Sequence, residues 1–160
     1  EQTVLGGLKT KSVDVVVATR ETGPCLAVSV KGSLNAFRNL TNRMEEAAGD
    51  CTNLHMSYPT LVYGFLHVVR ANPEGQVENR NDIAVLGNGE VSDEIRRYHD
   101  AISRLSNRAD IRNHASRYEG VALALTARSG VLTGLQPARI SPSPRKNNSV
   151  VKTRTISVLL

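Results

Sequence analysis

The order of elements in this chain, strand, strand, helix, strand, helix, strand, predicts an α/β fold: a mixed sheet flanked by helices on both faces. Three observations carry that expectation: β-branched runs of strand length, two amphipathic stretches at helical spacing, and Gly, Pro and Asn clusters between them. At 160 residues, 40% apolar and 22% charged, the chain has the size and composition of one globular domain with a real core.

Val13 to Ala18 and Leu26 to Lys31 are short apolar runs separated by Thr19 to Cys25, where Gly23-Pro24 signals a turn. They read as neighbouring strands joined by a hairpin. Thr3 to Leu5 reads as a shorter strand ahead of them, broken by Gly6-Gly7. From Ala36 to Cys51 the apolar residues Phe37, Leu40, Met44, Ala47, Ala48 and Cys51 recur at three and four, the spacing of a helix with one buried stripe. Asn35 is its expected N-cap and Gly49 marks its expected end. After Tyr58-Pro59, Leu61 to Val69 is apolar throughout and reads as a core strand, and Asn72 to Asn88 as an irregular excursion. Ser92 then caps a second helix whose acids Asp93 and Glu94 suit its positive end, and whose stripe is Ile95, Tyr98, Ile102 and Leu105. A short third helix is expected from Asp110 to Tyr118, a strand over Val121 to Ala127, a loop at Pro142 and Pro144, and a last edge strand over Ile156 to Leu160. Residues 1–160 thus form one domain. The chain opens on Glu1 rather than Met, which leaves room for a missing N-terminal segment, a helix included.

Composition narrows the chemistry. No apolar run approaches the ~20 residues that cross a bilayer and no basic-then-apolar leader opens the chain, so no membrane is expected. Cys25 and Cys51 are too few and too far apart for a zinc knuckle or a disulfide framework; they suit a cytoplasmic protein and read as small core hydrophobes. Histidines 55, 67, 99 and 114 lack metal-ligand spacing, and His67 in an apolar strand reads as a core histidine. Gly87-Asn88-Gly89 lacks the third glycine and the lysine of a phosphate loop. Net charge is +5, unevenly spread: after Glu119 come Arg128, Arg139, Arg145, Lys146, Lys152 and Arg154 and no acid, leaving −1 on residues 1 to 119. The basic segment 139–160 is either a solvated tail or a phosphate-contacting element, with Arg145 and Lys146 as its candidate contacts.

An aspartate inside a valine run is the most informative residue, because a buried carboxylate without a partner costs several kcal/mol or more. Asp14 therefore needs a partner. On the next strand Leu26, Val28 and Val30 point one way and Ala27, Ser29 and Lys31 the other, so pairing the strands can bring Asp14 beside Ser29 and Lys31. A salt bridge or strand-end hydrogen bond would equally satisfy Asp14. Placed against the stripe of Phe37, Leu40, Met44 and Ala47, Glu45 falls at the helix boundary, in line with Arg38 and Asn42, and Glu46 further round toward solvent.

Asp14, then Ser29-Val30-Lys31, then Glu45 resembles the PD-(D/E)xK nuclease superfamily, whose core places an Asp on one strand and an acid-x-Lys on the next. Ser29 stands where the second acid normally is, and Val13 rather than Pro precedes Asp14. In type II restriction endonucleases that read CCGG-containing sites the same position is serine, and the displaced glutamate comes from the following helix fourteen residues after the lysine, the spacing of Lys31 to Glu45. The gap between Asp14 and Lys31 is shorter than in that group. The resemblance covers Val13 to Val69; beyond it only the element order matches.

The resemblance implies a restriction endonuclease-like fold and a Mg²⁺-dependent endonuclease cutting double-stranded DNA, most simply as a homodimer. Asp14, Glu45 and the Val30 carbonyl would hold the metal, Lys31 would act on the attacking water and the developing charge, and Ser29 would fix a metal-bound water. Arg38, Asn42 and Arg43, with Asn39 beside them, would face DNA where the helix passes the site. A degenerate nuclease-fold module that binds DNA or a protein without cutting is the competing expectation. It is motivated by Ser29 and by the basic C-terminal third.

Overall fold

The computed structural model describes residues 2–33, 40–112 and 114–126. Asn35, Arg38, Asn39, Arg145, Lys146, the loop at Pro142 and Pro144 and the expected strand over Ile156 to Leu160 lie outside the described residues.

Strands β1 (Gln2–Leu5) and β2 (Thr10–Val13) form an antiparallel pair of their own. The run expected over Val13 to Ala18 is broken at Asp14, and β3 (Val15–Thr19) belongs to a second sheet. There β3 runs antiparallel to β4 (Gly23–Ser33), and β4, β5 (Val62–Arg70) and β6 (Gly120–Thr126) run parallel, in the spatial order β3-β4-β5-β6. The turn into β4 closes at Gly23, whose φ of 70° is readily open only to glycine. Pro24 follows just where the register slips between Val17 and Ala18, a bulge that tolerates a residue without an N–H.

Helix α1 spans Leu40–Ser57 and α2 spans Asp93–Ser103. The expected end of α1 at Gly49 is overrun, because Cys51 and Leu54 beyond it are fully buried, and burying such side chains outweighs the ~1 kcal/mol cost of an interior glycine. α2 forms as expected: Ser92 Oγ accepts from the Ile95 amide, and Ile95, Tyr98 and Ile102 are buried. Leu105 lies past the helix end and joins the other core cluster. The described residues from Asp110 to Tyr118 are not helical. Arg108, its side chain only 1% exposed, donates to the carbonyls of Pro59 and Ile111 and to Glu119, and holds the chain there as turns.

Both helices pack on one face of the larger sheet, a correction to the expectation of two covered faces. α1 brings Ala47, Cys51 and Leu54 onto Ala27, Tyr63 and Phe65, while α2 brings Ile95, Tyr98 and Ile102 onto Val69 and Leu123. In the β5 alternation Tyr63, Phe65, His67 and Val69 share that face. The reason is topological: β4, β5 and β6 are added in one direction, and crossovers of the same hand then fall on the same side. The opposite face carries Val15, Val17, Leu26 and Val62, each partly open to solvent. No helix among the described residues is long and apolar enough to cross a membrane.

The β1–β2 hairpin docks on α1. Asn53, 1% exposed, accepts from the Leu8 and Lys9 amides and donates to the Lys9 carbonyl; a Cβ on Gly6 would lie 2.2 Å from its side-chain nitrogen. Lys11 forms an ion pair with Asp50, which is thereby tolerated on the buried side of α1.

Candidate functional site

Asp14 stands one residue before the Val15–Val28 pair, at the edge where β3 begins. It is exposed, not buried in the valine run, and its Oδ2 accepts from the Val30 amide at 2.7 Å. Amide and carbonyl of a strand residue point to the same edge, so the Val30 carbonyl also faces the side on which Asp14 lies. The expectation of a buried carboxylate that must find a partner is thus overturned, and the bond to the Val30 amide is made at the surface.

Ser29 and Lys31 share the helix-covered face of β4, but their environments differ. Ser29 is 2% exposed and its Oγ lies 2.6 Å from the Tyr63 hydroxyl. That corrects the expected role of fixing a metal-bound water, since the hydroxyl is spent inside the core. Lys31, nearer the strand's end, is half-buried with its Nζ 3.4 Å from Glu46 Oε1.

Glu46, rather than Glu45, is the helix acid that reaches Lys31. Among the described residues the buried positions of α1 are Ala47, Asp50, Cys51, Asn53, Leu54 and His55. At about 100° per residue, Glu46 lies roughly 90° from the centre of those positions and Glu45 roughly 170°. The apolar periodicity of the sequence instead centres the stripe between Phe37, Leu40, Met44 and Ala47 and gives no reason to place Asp50 inside. Glu45 is exposed and enters no ion pair among the described residues. Arg43 donates to Glu46 Oε2 at 2.9 Å, while Asn42 is exposed. Partial burial raises the Glu46 pKa, but the hydrogen bond from Arg43 and the charges of Lys31 and Arg43 outweigh it and leave the carboxyl below its ordinary value. The Arg43-x-x-Glu46 spacing was the available signal for this residue.

Beside Lys31 on β5 sits His67, 1% exposed, hydrogen-bonded through Nδ1 to the Tyr98 hydroxyl and edge-on to its ring. Burial first, and then the charge of Arg43, lower its pKa to about 4, so it is neutral at physiological pH. It is the core histidine the sequence suggested.

No family model, no curated protein and no solved structure matches the chain. Chemically these positions offer a carboxylate at Asp14 on the Val30 amide, the Val30 carbonyl, and a Lys31 ammonium paired with the Glu46 carboxylate. Among the described residues no three His, Cys, Asp or Glu side chains gather into one metal-binding group. The hard oxygen donors of Asp14, Val30 and Glu46 are nonetheless the type a Mg²⁺ ion accepts, since such an ion usually takes one or two protein carboxylates and leaves its other positions to water and phosphate.

Proposed function

We propose that the chain is a Mg²⁺-dependent DNA endonuclease of PD-(D/E)xK type. What supports the reading is one geometric fact: the Asp14 carboxylate rests on the Val30 amide, next to Lys31, and a helix acid reaches that lysine. Asp14 and Glu46, with the Val30 carbonyl, would hold the cation. When bound, it would neutralise phosphate charge and make water a better nucleophile. Lys31 would orient that water and stabilise charge developing on the phosphate, and Arg43 would keep Glu46 ionised and aimed at Lys31. A restriction-type enzyme of this kind would work as a homodimer on duplex DNA, one site per strand.

The test separates the two helix acids. With mixed-sequence plasmid and Mg²⁺, Glu46→Ala is expected to lower the cleavage rate on the order of a hundredfold or more, and Glu45→Ala to leave it within about twofold. The reverse order would return the role to Glu45 and discard the geometric argument.

A binding module without catalysis is favoured by one observation: the side chain standing at the acid position, Ser29, is buried against Tyr63. In either reading Arg145 and Lys146 are candidate phosphate contacts. Replacing both with Ala is expected to weaken duplex binding and to reduce the salt dependence of log Kd by roughly one ion per lost contact. An unchanged slope would assign them to solubility.

A further inference from the structure

Two fully buried tyrosines, Tyr63 and Tyr118, bond to neighbours in sequence of Lys31 and Glu46. Tyr63, near the start of β5, meets Ser29 Oγ at 2.6 Å, and Ser29 is two residues before Lys31. Tyr118, two residues before β6, donates to the Ala47 carbonyl at 2.8 Å, and Ala47 follows Glu46. The two rings are in contact, with centroids 4.8 Å apart and planes at 51°. Burial pushes the Tyr63 phenol up to about 12 and the Tyr118 phenol higher still, so both keep their protons at neutral pH.

Ala47 sits inside α1, where the helix's own bonding already offers its carbonyl an amide partner four residues on. The Tyr118 bond is therefore additional to the helix, and its effect is to fix where α1 lies along the sheet. The Lys31–Glu46 pair cannot do this alone: both side chains are about a third exposed, and such ion pairs contribute little. We propose that Tyr118, with Tyr63, is a positioning residue, joining β4 to α1 and so setting the reach from Lys31 to Glu46. The inference rests on the nuclease reading for its consequence, but the spacing itself can be measured without cleavage.

The test uses Tyr118→Phe in the full chain, with the Lys31 Nζ–Glu46 Oε1 distance read from crystal structures of wild type and variant, cleavage by kcat on plasmid with Mg²⁺, and duplex Kd in Ca²⁺. The expected result is a longer Lys31–Glu46 distance, kcat lower on the order of tenfold, and Kd unchanged. A folded Tyr118→Phe that keeps the wild-type Lys31–Glu46 distance overturns the proposal, as does a lengthened distance with unchanged kcat in an active enzyme. If Tyr118→Phe does not fold, the pair Tyr63→Phe with Ser29→Ala removes the other bond while leaving no hydroxyl orphaned, and the same outcomes decide. A wild type that cuts no DNA defeats the nuclease reading alone, and the Lys31–Glu46 distance then decides the positioning role.

Discussion

Lys31→Ala is expected to bind duplex DNA with nearly wild-type affinity and to cut it on the order of 10³-fold more slowly or not at all. In the nuclease reading the Lys31 ammonium acts on charge that exists only in the transition state, so its loss should appear in kcat and not in Kd. The fold should survive the change. Lys31 is half-buried and Glu46 keeps Arg43 as a partner, so no carboxylate is left buried without a cation. The measurement pairs plasmid cleavage in Mg²⁺ with a binding curve in Ca²⁺. Discrete fragments from wild type, none from the variant and matched binding curves support a sequence-specific nuclease. A wild type that leaves diverse DNA intact, with binding that drops in the variant, would instead make Lys31 a phosphate contact in a binding module.

Local signals in the sequence were enough for β4, β5, β6 and α2, whereas β2 carries no apolar run and the sequence gives no sign of it. The apolar run before Arg70 became β5, and the Ser92 cap with its stripe at three- and four-residue spacing became α2. What failed depends on distant residues. Asp50 is a polar residue on the buried side of α1 only because Lys11, 39 residues earlier, reaches it from the β1–β2 hairpin. No periodicity argument confined to the helix could anticipate that. The exchange of Glu45 and Glu46 has a nearer cause: a stripe drawn on Phe37, Leu40, Met44 and Ala47 stops short of Leu54, and including the buried Cys51 and Leu54 rotates its centre toward Glu46. Asp14 shows the same limit. The valine run suggests a buried carboxylate in a continuous strand, but Asp14 is exposed, rests on a backbone amide and interrupts the strand. The sharing of one face by both helices follows from strand order, which only the register of β4, β5 and β6 reveals.

Acid should destabilise this protein through His67 well before most carboxylates are protonated. Its folded pKa of about 4 lies below the ordinary histidine value of 6.5, chiefly because burial disfavours the charged ring and secondarily because Arg43 repels it. Below pH ~6.5 the unfolded chain therefore binds a proton that the folded chain refuses, so stability falls as pH falls, and the loss levels off once pH drops beneath the folded value. Over that window the loss from this one residue is about 2 kcal/mol at pH 5 and about 3 kcal/mol at pH 4, a large fraction of a typical domain's stability. Replacing His67 alone would confound the test, because it would leave the buried Tyr98 hydroxyl without its partner. Changing both, His67→Leu with Tyr98→Phe, removes the titration without leaving the Tyr98 hydroxyl unpaired. Urea denaturation of wild type and the double variant at pH 7, 6, 5 and 4 should show the gap between their stabilities shifting in the variant's favour by about 3 kcal/mol across the series. Parallel pH profiles for the two would mean that His67 accepts its proton in the folded state at an ordinary pH, and that the pocket around Tyr98 opens to water.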